Sequence, residues 1–471
     1  QPAATARLRT LALAGPVALG SDSLLFEGAV GGAGFVVAPV DAVAASSLMT
    51  ADSITFDLKA RGLEETEVSG QGRLNGVALP DLGVRLSGVD LNIESLRIPA
   101  IEGRLSALTT GLEVRLEDTL HRGLDLEIDG DLREGRFLAG AGSLLLGFTG
   151  ELPFAYSLDL ERPTLEANLS DARLGAAALP DAARALAISL PESLTFEGGE
   201  LVLNGRIAYA DDSLGGDLDI RGNALALGLG ESRFEGLDFA AQVDVANVIS
   251  GRGPLALEIA NLAAGLDLTS LSTSIEFEGA DFGLLSFDAR LLGGQLRTPA
   301  LKLAGGQLQG TLIEWSGLDL GQLLTFVDVT GLSGSGIVDA TIPVVNDGTG
   351  PAVEAGRFAA RGPGVLRYQS GVPATNIGLQ ALENFQYDSL EGQLDYASDG
   401  AYTIALDLLG RNPDLYGGHP VRFRLNLGGE MPALFRSLFI TGDFEKAIIE
   451  RLRAGEPALP GDPEAPSGLE P

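Results

Sequence analysis

The chain has 471 residues, of which 45% are hydrophobic, so it holds ample material for a core. Its 64 Asp and Glu outnumber its 32 Lys and Arg, and the net charge of −32 repels phosphate backbones, which excludes nucleic acid as a partner. The lack of cysteine excludes disulfides and thiolate metal sites. Aromatic residues are only 6% of the chain, so its apolar surface consists mainly of Leu, Ala, Val and Ile.

The first apolar run, Leu11 to Leu19, is interrupted by Gly15 and Pro16 and is too short to cross a bilayer. We interpret it as a strand and a turn, and we expect any membrane anchor to lie outside this chain. Further along, strict alternation of apolar and polar residues predicts strands that are dry on one face and wet on the other. In chain order the clearest cases are Ser53 to Ala60, Glu113 to Glu117, Leu124 to Asp129, Thr164 to Ser170, Asp217 to Arg221, Leu271 to Glu278 and Val421 to Leu427.

Pairs of glycine and acidic residues near these runs predict hairpin turns. At roughly 14 to 18 residues per strand and turn, the chain would supply about 25 to 35 strands of an antiparallel meander. The sequence therefore predicts an all-β fold. The turn pairs are Asp129-Gly130, Asp211-Asp212, Gly215-Gly216, Gly305-Gly306 and Asp399-Gly400.

Helical patterns are few and short. Pro180 to Ile188, Leu320 to Phe326 and Ile377 to Phe385 can each form about two turns, which we expect to cross or plug an opening of the sheet. Two further helices, Pro432 to Phe439 and Asp443 to Arg453, have a proline or an acidic cap at their start. After Glu456 the Pro, Gly and Glu composition predicts disorder.

The dry face of the predicted sheet needs a cover, because an exposed apolar strip of this length would aggregate. The helices are too few to supply it. Alternation alone favours two sheets that cover each other as a sandwich, and it leaves open a sheet that curls lengthwise around a guest. The candidate lining of such a groove is Ile54, Phe56, Leu58, Val114, Leu116, Leu124, Leu126, Ile128, Leu165, Leu169, Leu218, Ile220, Ile275, Phe277, Phe423, Leu425 and Leu427.

Roughly the last 130 residues carry a series of motifs in a fixed order. They are Gly331 to Asp339 followed by Ile342 to Val344, Gly356 to Tyr368, Ala381 to Asp388, Leu394 to Tyr396, Gly410 to Gly418 and Met431 to Arg453. Together they resemble the YdbH-like branch of the AsmA-like bacterial intermembrane lipid transport proteins, which are bridge-like. Upstream of about residue 315 the resemblance rests on the alternating pattern.

The resemblance implies a long, twisted antiparallel β-sheet curled into an open hydrophobic groove, with short helices at the C-terminus. It implies the periplasmic part of a transporter that shields phospholipid acyl chains between the inner and outer membranes, anchored in the inner membrane by a segment outside this chain. The expected regions are a repetitive β-groove at 1–315, a C-terminal YdbH-like β-groove at 316–430, closing helices at 431–454 and a disordered acidic tail at 455–471.

The resemblance also implies an outer-membrane lipoprotein of the YnbE-like kind that adds strands at the C-terminal end. An open sheet edge presents unpaired backbone groups, which makes it a template for such a partner. We expect Val421, Phe423, Leu425 and Leu427 to mark that edge. The alternative, that the helices after Pro432 cap this edge, remains open.

The residues that could carry chemistry do not assemble into a site, so we expect no enzyme, cofactor or metal. His121 and His419 stand alone beside turns. Asp211, Asp212, Asp217 and Asp219 could hold Ca²⁺, although a solvated hairpin is favoured. The cluster from Arg411 to Gly418 could meet headgroups or a partner, although a turn held by an Arg-to-Asp contact is favoured.

Two other functions compete with lipid transport. A structural or adhesive surface β-solenoid needs a repeat of fixed length, and the sequence has no fixed period. A small-molecule carrier is the more remote alternative, because dicarboxylate transport has been attached to the resembled family and this acid-rich chain is a poor host for dianions.

Overall fold

A computed structural model describes most of the chain up to Glu430. The described residues are 4–7, 10–15, 17–19, 24–39, 49–62, 64–80, 83–116, 119–162, 164–210, 213–245, 250–263, 267–278, 281–304, 307–308, 310–327, 331–346, 350–369 and 377–430. The chain divides into two compact units, the first formed by Gln1–Gly228 with Gly236–Gly253 and the second by Leu229–Glu235 with Pro254–Pro471.

Strands dominate the described residues, which form 31 of them. The earlier ones are β1 (Ala4–Arg7), β2 (Thr10–Ala14), β3 (Val17–Leu19), β4 (Leu24–Pro39), β5 (Met49–Arg61), β6 (Thr66–Leu79), β7 (Val84–Ile98), β8 (Glu102–Thr110), β9 (Leu112–Leu116), β10 (Thr119–Arg133), β11 (Phe137–Leu146), β12 (Gly150–Asp159), β13 (Thr164–Gly175), β14 (Leu194–Ala210), β15 (Ser213–Leu229) and β16 (Ser232–Val245).

The later strands are β17 (Ser250–Gly251), β18 (Leu255–Ala263), β19 (Asp267–Glu278), β20 (Asp281–Leu291), β21 (Gly294–Thr298), β22 (Leu301–Ala304), β23 (Gln307–Leu308), β24 (Thr311–Asp319), β25 (Leu332–Ser335), β26 (Ile337–Asn346), β27 (Pro351–Ala360), β28 (Gly364–Tyr368), β29 (Phe385–Tyr396), β30 (Ala401–Arg411) and β31 (Val421–Glu430). The helices are α1 (Leu179–Ala185), α2 (Leu320–Val327) and α3 (Ile377–Leu382).

Neighbouring strands pair antiparallel, mostly in chain order. In the first unit, β4 to β8 and β10 to β14 form such a series, with β10 pairing to β8 as well as to β9. In the second, the series runs through β18, β19, β20, β21, β24, β26, β27, β29, β30 and β31. The predicted all-β fold with an antiparallel meander is confirmed.

The alternating segments lie within strands, because a side-chain period of two matches the pleat, and Glu117 at the end of one segment lies outside the described residues. Within Leu11 to Leu19 the structure has the end of β2 and the whole of β3, and the predicted turn includes Pro16, which lies outside the described residues. The three short helical patterns correspond to α1, α2 and α3, although Phe385 already begins a strand. The two closing helices and the tail lie outside the described residues. In the described part of the chain, no helix has the length and apolar character needed to cross a membrane.

The hairpin predictions have a mixed outcome. Asp399-Gly400 forms the turn between β29 and β30, where the Gly400 N–H donates to the Ala397 carbonyl at 2.9 Å. Asp129-Gly130 and Gly215-Gly216 were wrong, since they lie inside β10 and β15. The remaining two pairs lie outside the described residues. Gly130 has a packing role instead, because the Tyr156 hydroxyl lies 2.5 Å from the position that a Cβ would take there.

Candidate functional site: the apolar face of the sheet

Register places apolar side chains of successive strands side by side on one face of the first unit. Two adjacent rows show this, and we name them after one member. The Phe56 row is Val30, Phe56, Gly72, Leu91, Ala107, Ile128, Gly142 and Phe154. The Leu58 row is Gly28, Leu58, Gly70, Ile93, Leu105, Gly130, Gly140, Tyr156, Ala167 and Ile207. At ~4.8 Å per strand, the Phe56 row extends over roughly 34 Å.

The second unit contains a row of the same kind. This Trp315 row is Ala289, Leu296, Trp315, Ala340, Phe358, Gly392, Leu406 and Leu425. The indole N–H of Trp315 donates to the Leu291 carbonyl at 3.3 Å, which satisfies its single polar atom. Leu408 and Phe423 lie beside the last members of this row. Each unit thus has a continuous apolar stripe, which runs from β4 to β14 in the first unit and from β20 to β31 in the second.

Most side chains in these rows are neither fully exposed to solvent nor fully buried. Phe56, Leu91, Ile128, Trp315 and Leu406 are all half-buried. A close-packed core would hide such side chains completely. The apolar face therefore retains surface that a guest can cover.

The opposite face is polar and more exposed. Along β5, Thr55 and Asp57 alternate with the apolar side chains, and both are exposed. Ion pairs connect neighbouring strands there, such as Arg73 to Asp90 at 3.0 Å and Arg104 to Asp129 at 2.6 Å. Exposed ion pairs of this kind contribute little to stability, so their main effect is to keep this face hydrated.

Short helices cover the apolar face locally. In the first unit, Leu179, Ala182 and Ala185 of α1 are buried in one cluster with the strand residues Leu124 and Leu146. The second unit has an equivalent cluster, in which α2 and α3 contribute Leu320 and Leu382 and the strands contribute Phe385, Tyr387 and Leu408. The expectation that these helices lie across the sheet fits this packing, in which the described helices cover the apolar face at these clusters.

A family model described as YdbH-like, intermembrane phospholipid transport protein YdbH, matches residues 12–453. The chain belongs to this YdbH-like family. No curated protein and no solved structure matches the chain. The resemblance seen in the C-terminal motifs is confirmed, and the match extends it over nearly the whole chain. The family is one of phospholipid transport between membranes and is not an enzyme family.

The structure of this YdbH-like chain brings many of the predicted lining residues onto the rows or next to them. Ile54 packs in one cluster with Phe56, and Leu169 packs against the α1 cluster. Val114 is a register partner of Val84, whereas Leu165 is 40% exposed. The half-buried members are Phe56, Leu58, Val114, Leu126, Ile128, Leu169, Leu218, Ile220, Ile275, Phe423 and Leu425. The side chains of Leu116, Phe277 and Leu427 lie outside the described residues.

Sequence reasoning missed several members of the rows in the YdbH-like chain. Phe154, Tyr156, Trp315 and Phe358 contribute the largest side chains. A glycine is the register partner of Phe154, of Tyr156 and of Phe358, whereas Trp315 pairs with Leu296 and Ala340. Strand alternation places Phe154 and Tyr156 on one face of β12, a signal that was present in the sequence. The partnering of rings with glycines depends on register between strands and had no local signal.

In the YdbH-like chain, the polar cluster from Arg411 to Gly418 makes hydrogen bonds that stabilise the local fold. Asn412 is 5% exposed, and its side-chain N–H groups donate to the carbonyls of Gln380 and Ala381 at 3.2 and 3.1 Å. The carboxylate of Asp414 accepts from Asn384 at 2.8 Å. The expected turn is therefore held by amide side chains, and the proposed contact between Arg411 and Asp414 is absent from these described residues.

The remaining candidates are isolated. His121 is half-buried opposite Val114, and His419 is exposed. Asp217 and Asp219 are exposed on β15, whereas residues 211 and 212 are not described. Within the described ranges, no three His, Asp or Glu side chains gather as metal ligands.

Shifted pKa values mark two structural positions of the sheet. Arg136 donates to both carboxylate oxygens of Asp159, at 2.9 and 2.6 Å, and these bonds hold the pKa of Asp159 well below its usual range. Burial, with a smaller effect of the nearby Asp129 and Asp131 carboxylates, raises the pKa of Tyr156 to about 12. Tyr156 therefore stays neutral on the apolar face.

A cavity of about 670 Å³ in the first unit is lined by five members of the Phe56 row together with polar side chains of the alternating positions. Thr55, Asp57, Arg73 and Asp90 are among its lining residues. Two carboxylates and a guanidinium that is already paired with one of them make a poor surface for acyl chains. The apolar rows, taken over their whole length, are the better candidate for binding lipid.

Proposed function

We propose that the apolar rows form the floor of an open groove in which phospholipid acyl chains lie while the headgroup stays in water. The observation that carries this proposal is the continuity of half-buried apolar side chains across strands, in a chain of the phospholipid transport family. Transfer between the inner and outer membranes, through the periplasm, follows from this assignment. The same proposal includes an anchor in the inner membrane.

Passive shielding is sufficient as a mechanism. Each methylene removed from water contributes roughly 0.8 kcal/mol, so a long apolar stripe holds an acyl chain firmly over its whole length. The rows offer aliphatic side chains in many equivalent positions, so neighbouring positions along a row differ little in free energy. An acyl chain can then slide from strand to strand without a deep trap.

The last described strand supplies the surface for the proposed partner. Among the described residues, β31 pairs with β30 only, through Val421 to Glu430. Its other edge can accept a strand from the YnbE-like lipoprotein. We expect such a partner to slow the exchange of β31 amide hydrogens, and unchanged exchange in the mixture would contradict strand addition.

The acyl-chain proposal is tested by photocrosslinking from adjacent residues on opposite faces. A photoreactive residue replaces Phe56 or Leu126, which are half-buried on the apolar face, or Leu406 in the Trp315 row. The matched controls carry the same group at the exposed neighbours Asp57, Glu127 and Ala405.

The expected result is phospholipid adducts at the three apolar positions and none at their neighbours. Equal labelling of both faces, or of neither, would overturn the groove.

A further inference from the structure

Two phenylalanine rings lie where a glycine of the next strand leaves space. An ideal Cβ at Gly72 would meet three ring atoms of Phe56 at 2.0, 2.2 and 2.7 Å. An ideal Cβ at Gly392 would meet three ring atoms of Phe358 at 2.1, 2.5 and 2.7 Å. In both cases the glycine is the register partner of the phenylalanine. Each ring therefore leans over the adjoining strand.

The arrangement recurs along the apolar face in both units. Phe239 lies 2.3 Å from the Cβ position of Gly222, and Phe154 lies 2.7 Å from that of Gly142. Tyr156 is the register partner of Gly140 and reaches over Gly130 on the strand beyond. Repetition on different strands indicates a common requirement of this face.

Backbone conformation does not explain these glycines. Gly72 and Gly392 have no φ in the left-handed region, so other residues could adopt their backbone. Glycine weakens a strand interior, because it loses more entropy on folding and offers no side chain to pack. The three atoms nearest to the Cβ position belong to the ring at both glycines, so the ring accounts for the glycine.

The direction in which the rings lean bears on transport. Side chains of a strand normally stand roughly perpendicular to the sheet, and an upright phenylalanine would project above Leu and Ala neighbours. A ring that leans over a glycine lies along the row, which is the direction in which a sliding acyl chain would travel. The height of the floor then changes little from strand to strand.

We propose that Gly72 and Gly392 are positioning residues that keep the rings of Phe56 and Phe358 flat, so that the floor of the apolar rows stays level for an acyl chain. This inference rests on the proposed function. It assigns the glycines a role in passage of the acyl chain in addition to their role in packing. A methyl group at either position would raise the ring into the path of the chain.

The test uses the full chain with a photoreactive residue at Leu406, the register neighbour of Gly392 in the Trp315 row. A second probe at Leu91 reports on the first unit. Three variants are compared with the parent: Gly392→Ala, the double variant Gly392→Ala with Phe358→Leu, and Gly215→Ala. Gly215 is the control, since a Cβ there meets nothing within 4 Å.

We expect Gly392→Ala to lower the phospholipid adduct yield at Leu406 severalfold and to leave the yield at Leu91 unchanged. Removing the ring in the double variant should restore the yield, and Gly215→Ala should have no effect. Melting temperatures of all variants are measured alongside, because a purely structural role predicts altered melting with unchanged adduct yields.

An unchanged yield at Leu406 in Gly392→Ala, or a loss that the double variant does not restore, overturns the inference. Absence of adducts at both probes in the parent chain would instead overturn the proposed function, and this inference with it.

Discussion

At the scale of single residues, the hydroxyl of Tyr156 is buried on the apolar face without a hydrogen-bond partner in the described structure. An unsatisfied buried hydroxyl costs about 1–3 kcal/mol. We expect Tyr156→Phe to preserve the free energy of unfolding or to raise it by up to about 1 kcal/mol. Urea unfolding followed by circular dichroism measures the difference.

Tyr387 provides the matched control, because its hydroxyl donates to the Ser335 carbonyl at 2.9 Å. Tyr387→Phe should lose about 0.5–1.5 kcal/mol, the net value of a typical hydrogen bond. An equal loss in both variants would show that the Tyr156 hydroxyl has a partner after all, and the apolar character of that position would then be in doubt.

At the scale of elements, the amide of Asn412 holds the C-terminal end of α3 against the sheet. We expect Asn412→Ala to lower the free energy of unfolding by about 1–3 kcal/mol, because both bonds to the α3 carbonyls are lost. The control is Arg411→Ala, an exposed neighbour whose replacement should stay within about 0.5 kcal/mol. Hydrogen exchange at α3 and β29 measures the loosening, and equal exchange in the two variants would contradict the role of Asn412.

The elements also show what the sequence could predict. Strands followed from alternation, because the period of two is local and one face of each strand is polar, as along Ser53 to Ala60. The short helices were found as well. The turn predictions at Asp129-Gly130 and Gly215-Gly216 were wrong because these glycines serve packing within strands. Gly130 makes room for the Tyr156 side chain, and a Cβ at Gly216 would lie 2.2 Å from the Arg206 carbonyl oxygen.

The register between neighbouring strands determines which side chains lie side by side, and the sequence could not predict it. Pairing Phe56 with Gly72 or Trp315 with Ala340 depends on contacts between strands, which local patterns do not encode. The sequence also left open how the apolar face is covered, and within the described residues α1, α2 and α3 bury parts of it. The division of the chain at residues 315, 430 and 454 stays a prediction.

At the scale of the whole molecule, a net charge of −32 accompanies a continuous apolar stripe in each unit. Along described strands such as β5, the charged side chains lie on the polar face and the apolar side chains lie on the other. The family match over residues 12–453 extends the resemblance that the motifs placed at the C-terminal end, because alternating strands carry too little sequence signal to be recognised one by one.

The single tryptophan permits a direct test of the central claim that acyl chains lie on the apolar rows. Trp315 is the chain's one Trp and lies half-buried in the Trp315 row. Its fluorescence is measured in the purified full chain loaded with phospholipid that is brominated on the acyl chain, after removal of free vesicles. The control is the double variant Trp315→Phe with Thr341→Trp, which moves the indole to an exposed position on the opposite face.

We predict strong quenching of Trp315 by the brominated chains, none by the same phospholipid without bromine, and little quenching of the displaced indole. Quenching that is equal for the two positions, or absent at Trp315 while phospholipid remains bound, would contradict the account.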